Sequence, residues 1–168
     1  MSIAVTDDHR ALAETAADFL SKNDSRGAAR ALLEADTEPL PAFWPELASL
    51  GWLGLHLPEA VGGAGYTLEE LVVVVEELGA AVAPGPFVPT VVASALIAKA
   101  GDAALQESLL PGLADGSRTA AIALASNLTV SDGKASGTIG AVLAGGTPDL
   151  LVVAHGDYVL VIKLAGGG

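Results

Sequence analysis

A few kinds of residue in this chain are spaced as if for chemistry. Glycines crowd the stretch GWLGLHLPEAVGGAGYTLEE (residues 51–70), where Gly62, Gly63 and Gly65 could turn backbone amides toward a phosphate. The stretch is not a P-loop, because no Gly-Lys-Ser/Thr follows. Nor does it match G-x-G-x-x-G after a strand. Its composition reads as a structural turn. His9, His56 and His155 are scattered, with no second ligand at metal spacing, and read as surface or packing residues. No metal site is expected. Glu69–Glu70 and Glu76–Glu77 read as a solvated helix face, with a capping role for Glu70. Trp44 and Trp52 read as core anchors. There is no G-x-S-x-G elbow, and the absence of cysteine removes disulfide, thiolate and Cys/His chemistry. Local chemistry therefore names no catalytic residue.

The elements that would position these residues change character along the chain. Val5, His9, Leu12, Ala16, Phe19 and Leu20 have helical spacing, with Thr6 or Asp7 as cap. A short helix is expected over 25–35, and another over 43–51 with Pro45 in its first turn and Gly51 at its end. Thr67 and Glu70 form a T-x-x-E capping box. It opens a helix over 67–79 whose buried face is expected to be Leu68, Leu71, Val72, Val75 and Leu78, with Gly79 as the terminating glycine. An almost wholly apolar helix over 88–100 and a shorter one within 102–116 follow. Beyond residue 118 the texture is that of strands. TAAIALA is a buried run, Asp132–Gly133 and Gly145–Gly146 punctuate hairpins, and two strands flank His155–Asp157.

Segregation of helices before strands predicts an α+β chain. An all-α N-terminal domain (1–117) is followed by a partial antiparallel β domain (118–168). The chain ends on an apolar strand and AGGG with no closing element, so a C-terminal remainder or a partner is expected to cover that edge. Mean hydropathy is high at +0.52, yet no apolar run reaches the ~18 residues of a membrane span. With 20 acidic and 8 basic residues, the net charge of −12 offers no footprint for nucleic acid. The first residues lack a basic-then-apolar leader pattern, and a cytoplasmic location is the default expectation.

The order of three phrases goes further: FWPELASLGWLGLHLPEAVGGAGYTLEELVVVVEELG, then APGPF, then LLPGLADGSRTAAIALA. This order resembles the N-terminal half of the acyl-CoA dehydrogenase family, over roughly residues 5–162. The resemblance implies a helical domain, a middle β domain and a C-terminal helical domain. The last, with the family's catalytic glutamate, is expected to lie beyond these residues. It also implies an FAD-linked oxidation of an acyl-CoA thioester to the 2-enoyl-CoA by an oligomer. A carboxylate takes the α-proton, hydrogen bonds hold the developing enolate, and the flavin accepts a hydride. Whether the acyl group is fatty or steroid is left open.

Carried over residue by residue, the family's flavin-contacting T-E falls on LASN, at Ser126 and Asn127, and Ala125 before them joins the implied cofactor-binding residues. The family's N-G-x-K-x-W-I-T/S-N-G falls on SGTIGAVLAGG. Ala141 then stands at the tryptophan and Leu143 at the hydroxyl residue that bonds the flavin. Leucine offers no donor, and alanine cannot wall a ring. Pro84, Val88 and Val92 are the implied lining of the acyl tail. The glycine stretch becomes an inter-helix hinge beside the substrate cleft. Two functions follow from the resemblance. One is an FAD-dependent acyl-CoA dehydrogenase subunit. The other is a degenerate, heteromeric-type subunit of actinobacterial kind, which supports an active paralogue that holds most of the FAD contacts. A third reading is a helical remnant without a ligand.

Overall fold

A computed structural model describes residues 6–164. Val5, expected in the first helix, and the AGGG end lie outside them. Helix α1 (Asp7–Lys22) begins at Thr6, whose side chain accepts from the His9 amide while the His9 ring accepts from the Thr6 amide. Its buried residues are His9, Ala16, Phe19 and Leu20, as the spacing predicts. Helix α2 (Ser25–Ala31) is shorter than expected and tightens into a 3-10 turn at Leu32–Glu34. Helix α3 (Trp44–Ser49) carries proline in its first turn, and Gly51 then takes φ 75°.

Helix α4 (Leu68–Ala80) opens with the expected capping box. Thr67 Oγ1 accepts from Glu69 N at 3.1 Å and donates to Glu70 Oε2 at 2.6 Å, which also accepts from Thr67 N at 2.9 Å. Its buried face is Leu71, Val74 and Leu78, while Leu68 and Val72 point to solvent. The expected face was thus rotated, because a run of four valines is apolar on every side and fixes no direction. Gly79 does not end the helix. Ser25 Oγ donates to Ala81 O and Arg26 to Ala80 O, which extends it to a left-handed Val82 (φ 52°). Val82 N donates to Gly79 O and Ala83 N to Leu78 O, the paired bonds of a Schellman end.

Helix α5 (Phe87–Ala100) is apolar all round because it is buried on several sides. Phe87 and Val91 join a helical core built on Phe19, Phe43, Trp44 and Trp52, with Phe19 edge-on to Phe43 and Trp52 at 6.0 and 5.4 Å. Ala93 and Ile97 join a second core with helix α6 (Ala103–Ala114) and one face of the sheet.

The strands are β1 (Ala120–Ala123), β2 (Ser126–Ser131), β3 (Lys134–Ile139), β4 (Val142–Leu143), β5 (Leu150–His155) and β6 (Tyr158–Lys163). The helices-then-strands order stands as predicted. The main sheet runs β4-β1-β5-β6 and is antiparallel except where β1 pairs parallel to β5, Ile122 opposite Val152. The excursion between those strands makes this possible, since a parallel pair needs a long crossover. That excursion holds the β2–β3 hairpin, which turns on Asp132 (φ 51°) and Gly133 (φ 71°), the type I′ signature. Gly145–Gly146 makes no hairpin. A Cβ on Gly145 would sit 2.9 Å from the Gly85 and Pro86 backbone, so glycine permits a close approach to the helical half there. Trp44 Nε1 donating to Gly116 O (3.0 Å) ties α3 to the turn between α6 and β1, and Ala120 N donating to Thr90 Oγ1 (3.2 Å) fastens β1 to α5.

Candidate functional site

The glycine stretch folds back on its own carbonyls. The amides of Gly62, Gly63, Ala64, Gly65 and Tyr66 donate to Glu59, Pro58, Gly54, Leu57 and Leu55 at 2.8–3.0 Å. No amide in this run is left for a phosphate. Gly63 is needed for contact rather than for conformation: a Cβ there would lie 2.0 Å from Leu57 O. The loop is a self-bonded turn between α3 and α4.

Within it, His56 turns toward α5, where its Nε2 lies 3.1 Å from Ser94 Oγ. Ser94 Oγ also lies 3.0 Å from Val91 O, so its single proton goes either to that carbonyl, with His56 Nε2 donating to Oγ, or to Nε2. His56 Nδ1 is a buried ring nitrogen without a partner among the described residues. Burial lowers the His56 pKa, offset in part by the Val91 carbonyl.

The expected cofactor residues do come together with residues 140–143. Gly140 N donates to Ala125 O at 3.0 Å, and Ile122 and Ala123 pair with Leu143 and Val142. The result is an apolar shelf at the sheet edge, where Leu124 is 74%, Val142 46% and Leu143 50% exposed. Ala125 and Asn127 are exposed, and Ser126 turns inward. Ser126 Oγ lies 3.0 Å from Ala154 O and 3.1 Å from His155 Nδ1. A serine has one proton, and whether it goes to the carbonyl or to the ring, it is committed within the protein. Ala141, just before β4, and Leu143 on it add only hydrocarbon side chains. Apart from the exposed Asn127 carboxamide, these residues offer the polar edge of an isoalloxazine ring no uncommitted side-chain donor. The His155 partnership carries no sequence signal, because it depends on β5 lying beside β2.

On the implied acyl side, Val88 and Val92 are four apart on one face of α5, the first 37% exposed and the second packed on the second core. Pro84 sits half-buried on the loop before the helix. A cavity of about 340 Å³ lies elsewhere, between α1, α2 and the end of α4, lined by Leu20, Asp24, Arg26 and Glu77 among others. An open groove of about 620 Å³ runs along Val130 and His155–Leu160. Neither takes in Pro84, Val88 or Val92. Among the described residues no three His, Asp or Glu side chains gather to hold a metal, and no helix is long and apolar enough to cross a membrane.

Comparison with known proteins gives this geometry a setting. The sequence model of the acyl-CoA dehydrogenase N-terminal domain matches residues 6–117. Acyl-CoA dehydrogenase FadE34 of Mycobacterium tuberculosis is 32% identical over 96% of this chain and 23% of its own length. The solved Tcur3481–Tcur3483 steroid ACAD variant superposes with a TM-score of 0.77 at 31% identity, over 95% of this chain and 49% of that one. The ChsE4–ChsE5 complex from Mycobacterium tuberculosis shares the fold, with a TM-score of 0.82 at 23% identity over 99% of this chain and 49% of that one. This chain thus spans about a quarter of that curated relative and about half of the solved chains.

Proposed function

Because this chain belongs to the acyl-CoA dehydrogenase family, we propose that it is a supporting subunit of a hetero-oligomeric acyl-CoA dehydrogenase. The assembly acts on a CoA thioester by FAD-linked α,β-dehydrogenation. A second chain of the same family holds the flavin and supplies the chemistry. Residues 1–117 form the helical domain of this subunit and 118–168 part of its middle β domain. Resemblance to a steroid ACAD favours a bulky acyl group. Two of the similar solved structures carry paired chain names, which favours a two-chain assembly.

The carrying observation is the shelf formed by Leu124–Ser126 and Ala141–Leu143. It offers hydrocarbon, and a serine whose proton is already used, where the family resemblance puts flavin contacts. Among Leu124–Ser126 and Ala141–Leu143, chemistry routed through this chain's own shelf finds no uncommitted side-chain donor. The part left to this chain is to bind, shape and shield. The face of α5 with Val88 and Val92, and the loop at Pro84, are its proposed contribution to an acyl pocket. The rival reading, a chain that binds FAD and turns over by itself, draws on the unbroken order of family phrases through residue 125.

Co-expression with an acyl-CoA dehydrogenase chain encoded beside it separates the two. Supporting-subunit function predicts a yellow co-purified complex and a colourless lone chain. Flavin absorbance in the lone chain would overturn it.

A further inference from the structure

Helix α4 has two places to stop, and it takes the strained one. Gly79 stands where a terminating glycine belongs, and glycine adopts the left-handed conformation at no steric cost. The helix instead runs to Ala80, and the left-handed residue is Val82 at φ 52°. A β-branched side chain in that region is strained against its own carbonyl. The last turn of α4 carries no basic residue, while Glu76 and Glu77 bring acids near it, against the helix dipole.

Helix α2 makes the difference. Ser25 Oγ donates to Ala81 O at 3.2 Å and Arg26 to Ala80 O at 2.9 Å. Two carbonyls at the helix end are thus capped from a distant segment, and a cation meets the negative end of the dipole. Asp24, itself left-handed at φ 45°, accepts from Gly27 N and sets the turn that delivers both side chains. Ala81 and Ala83 rest against the helical core, which makes the long helix the favoured form. The cavity of about 340 Å³ lies beside this clasp, with Asp24, Arg26, Glu77 and Ala80 in its wall, so the final turn has room to move. The connector 82–86 is fixed at its other end. A Cβ on Gly85 (φ 106°) would lie 3.0 Å from the Pro41 ring, and Pro86 is buried.

We propose that the end of α4 is a two-position switch, held closed by Ser25 and Arg26. In the closed form Val82 N donates to Gly79 O and Ala83 N to Leu78 O. In the open form the helix stops at Gly79, and the same pair of bonds moves back along it, with Gly79 N on Glu76 O and Ala80 N on Val75 O. The amides of Ala81, Val82 and Ala83 are then released, and the connector carrying Pro84 lengthens to include Ala80 and Ala81. The switch depends neither on which chain holds the flavin nor on an acyl group lying at Pro84.

Native-state hydrogen exchange of the full chain, read by NMR, tests it. Opening should release Ala81, Val82 and Ala83 as one unit, with equal opening constants, while Gly79 and Ala80 stay protected. Arg26→Ala and Ser25→Ala should each raise that constant on the order of tenfold. Val82→Gly removes the strain and should lower it by a similar factor, whereas a helix end that merely frays would be loosened by the added glycine. Arg26 and Val82 are exposed, so these two variants carry the test should Ser25→Ala fail to fold. Protection lost stepwise from Ala83 back through Gly79, an opening constant unmoved by Arg26→Ala, or one raised by Val82→Gly overturns the proposal.

Discussion

Replacing Gly63 by alanine asks whether the glycine stretch is held by contact or kept open for a ligand. The new Cβ would lie 2.0 Å from Leu57 O, 2.3 Å from Leu57 C and 2.6 Å from Leu57 Cβ, where ordinary contact begins near 3.4 Å. The atoms it strikes first are backbone, so the two strands of the loop must part by more than an ångström. Leu57 O would lose the Gly65 amide, and the neighbouring bond from Ala64 N to Gly54 O would stretch. Overpacking together with a broken buried hydrogen bond costs ~3 kcal/mol or more. Two other glycines serve as internal standards. Gly65 has φ 70°, and its nearest atom to a new Cβ is Glu59 Cγ at 3.9 Å, so alanine costs only the backbone strain of ~1 kcal/mol. Gly79 is helical with nothing within 4 Å, so alanine should gain ~1 kcal/mol. With a urea slope of ~2 kcal/mol/M, the midpoint should fall by ~1.5 M for Gly63→Ala and ~0.5 M for Gly65→Ala, and rise by ~0.5 M for Gly79→Ala. Circular dichroism in a urea series reads all three. A Gly63→Ala loss no larger than that of Gly65→Ala would refute the close-contact account.

Other expectations concern caps and titration. Thr67→Ala should cost ~1 kcal/mol, because it removes the acceptor for Glu69 N and the hydroxyl held by Glu70; an unmoved denaturation midpoint would contradict the cap. The same hydroxyl, with backbone N–H bonds and the His9 ring, holds the Glu70 carboxyl down at about 2. Its stabilisation is therefore present above the ordinary carboxylate range and lost as pH falls toward about 2. The Thr67→Ala deficit should narrow over that window. His56 has the opposite ionisation and the same direction of loss. Its lowered folded pKa leaves it neutral while the unfolded chain takes up a proton, so stability declines as pH drops below ~6.5, by at most ~1.4 kcal/mol per pH unit. His56→Leu should flatten that slope, and equal slopes in both proteins would show that the buried ring is not its source.

Local signals were readable wherever they decided the outcome alone. The Thr67–Glu70 box, the Asp132–Gly133 turn, the prolines and Gly51 around α3, and the tryptophan anchors all behave as their sequence neighbourhood dictates. Tertiary contacts prevailed at the end of α4. Ser25 and Arg26, more than fifty residues away, draw the helix past Gly79 and push Val82 into a left-handed turn. The facing of α4 was hidden for a different reason, since Val72 and Val74 are chemically alike and only the position of α1 selects between them. Parallel pairing of β1 with β5 is likewise absent from either strand's own residues. At the candidate site, the loss of donors at Ala141 and Leu143 was visible in residue types. The commitment of the Ser126 proton to Ala154 or His155 required β2 and β5 side by side.

The central claim is that this chain's shelf cannot seat a flavin. Equilibrium titration of FAD with the purified lone chain, followed by flavin fluorescence polarisation, tests it most directly. No saturable binding should appear, even with protein far above the concentration at which a flavoprotein would fill. Stoichiometric binding that Leu124→Asp or Leu143→Asp weakens would contradict the account.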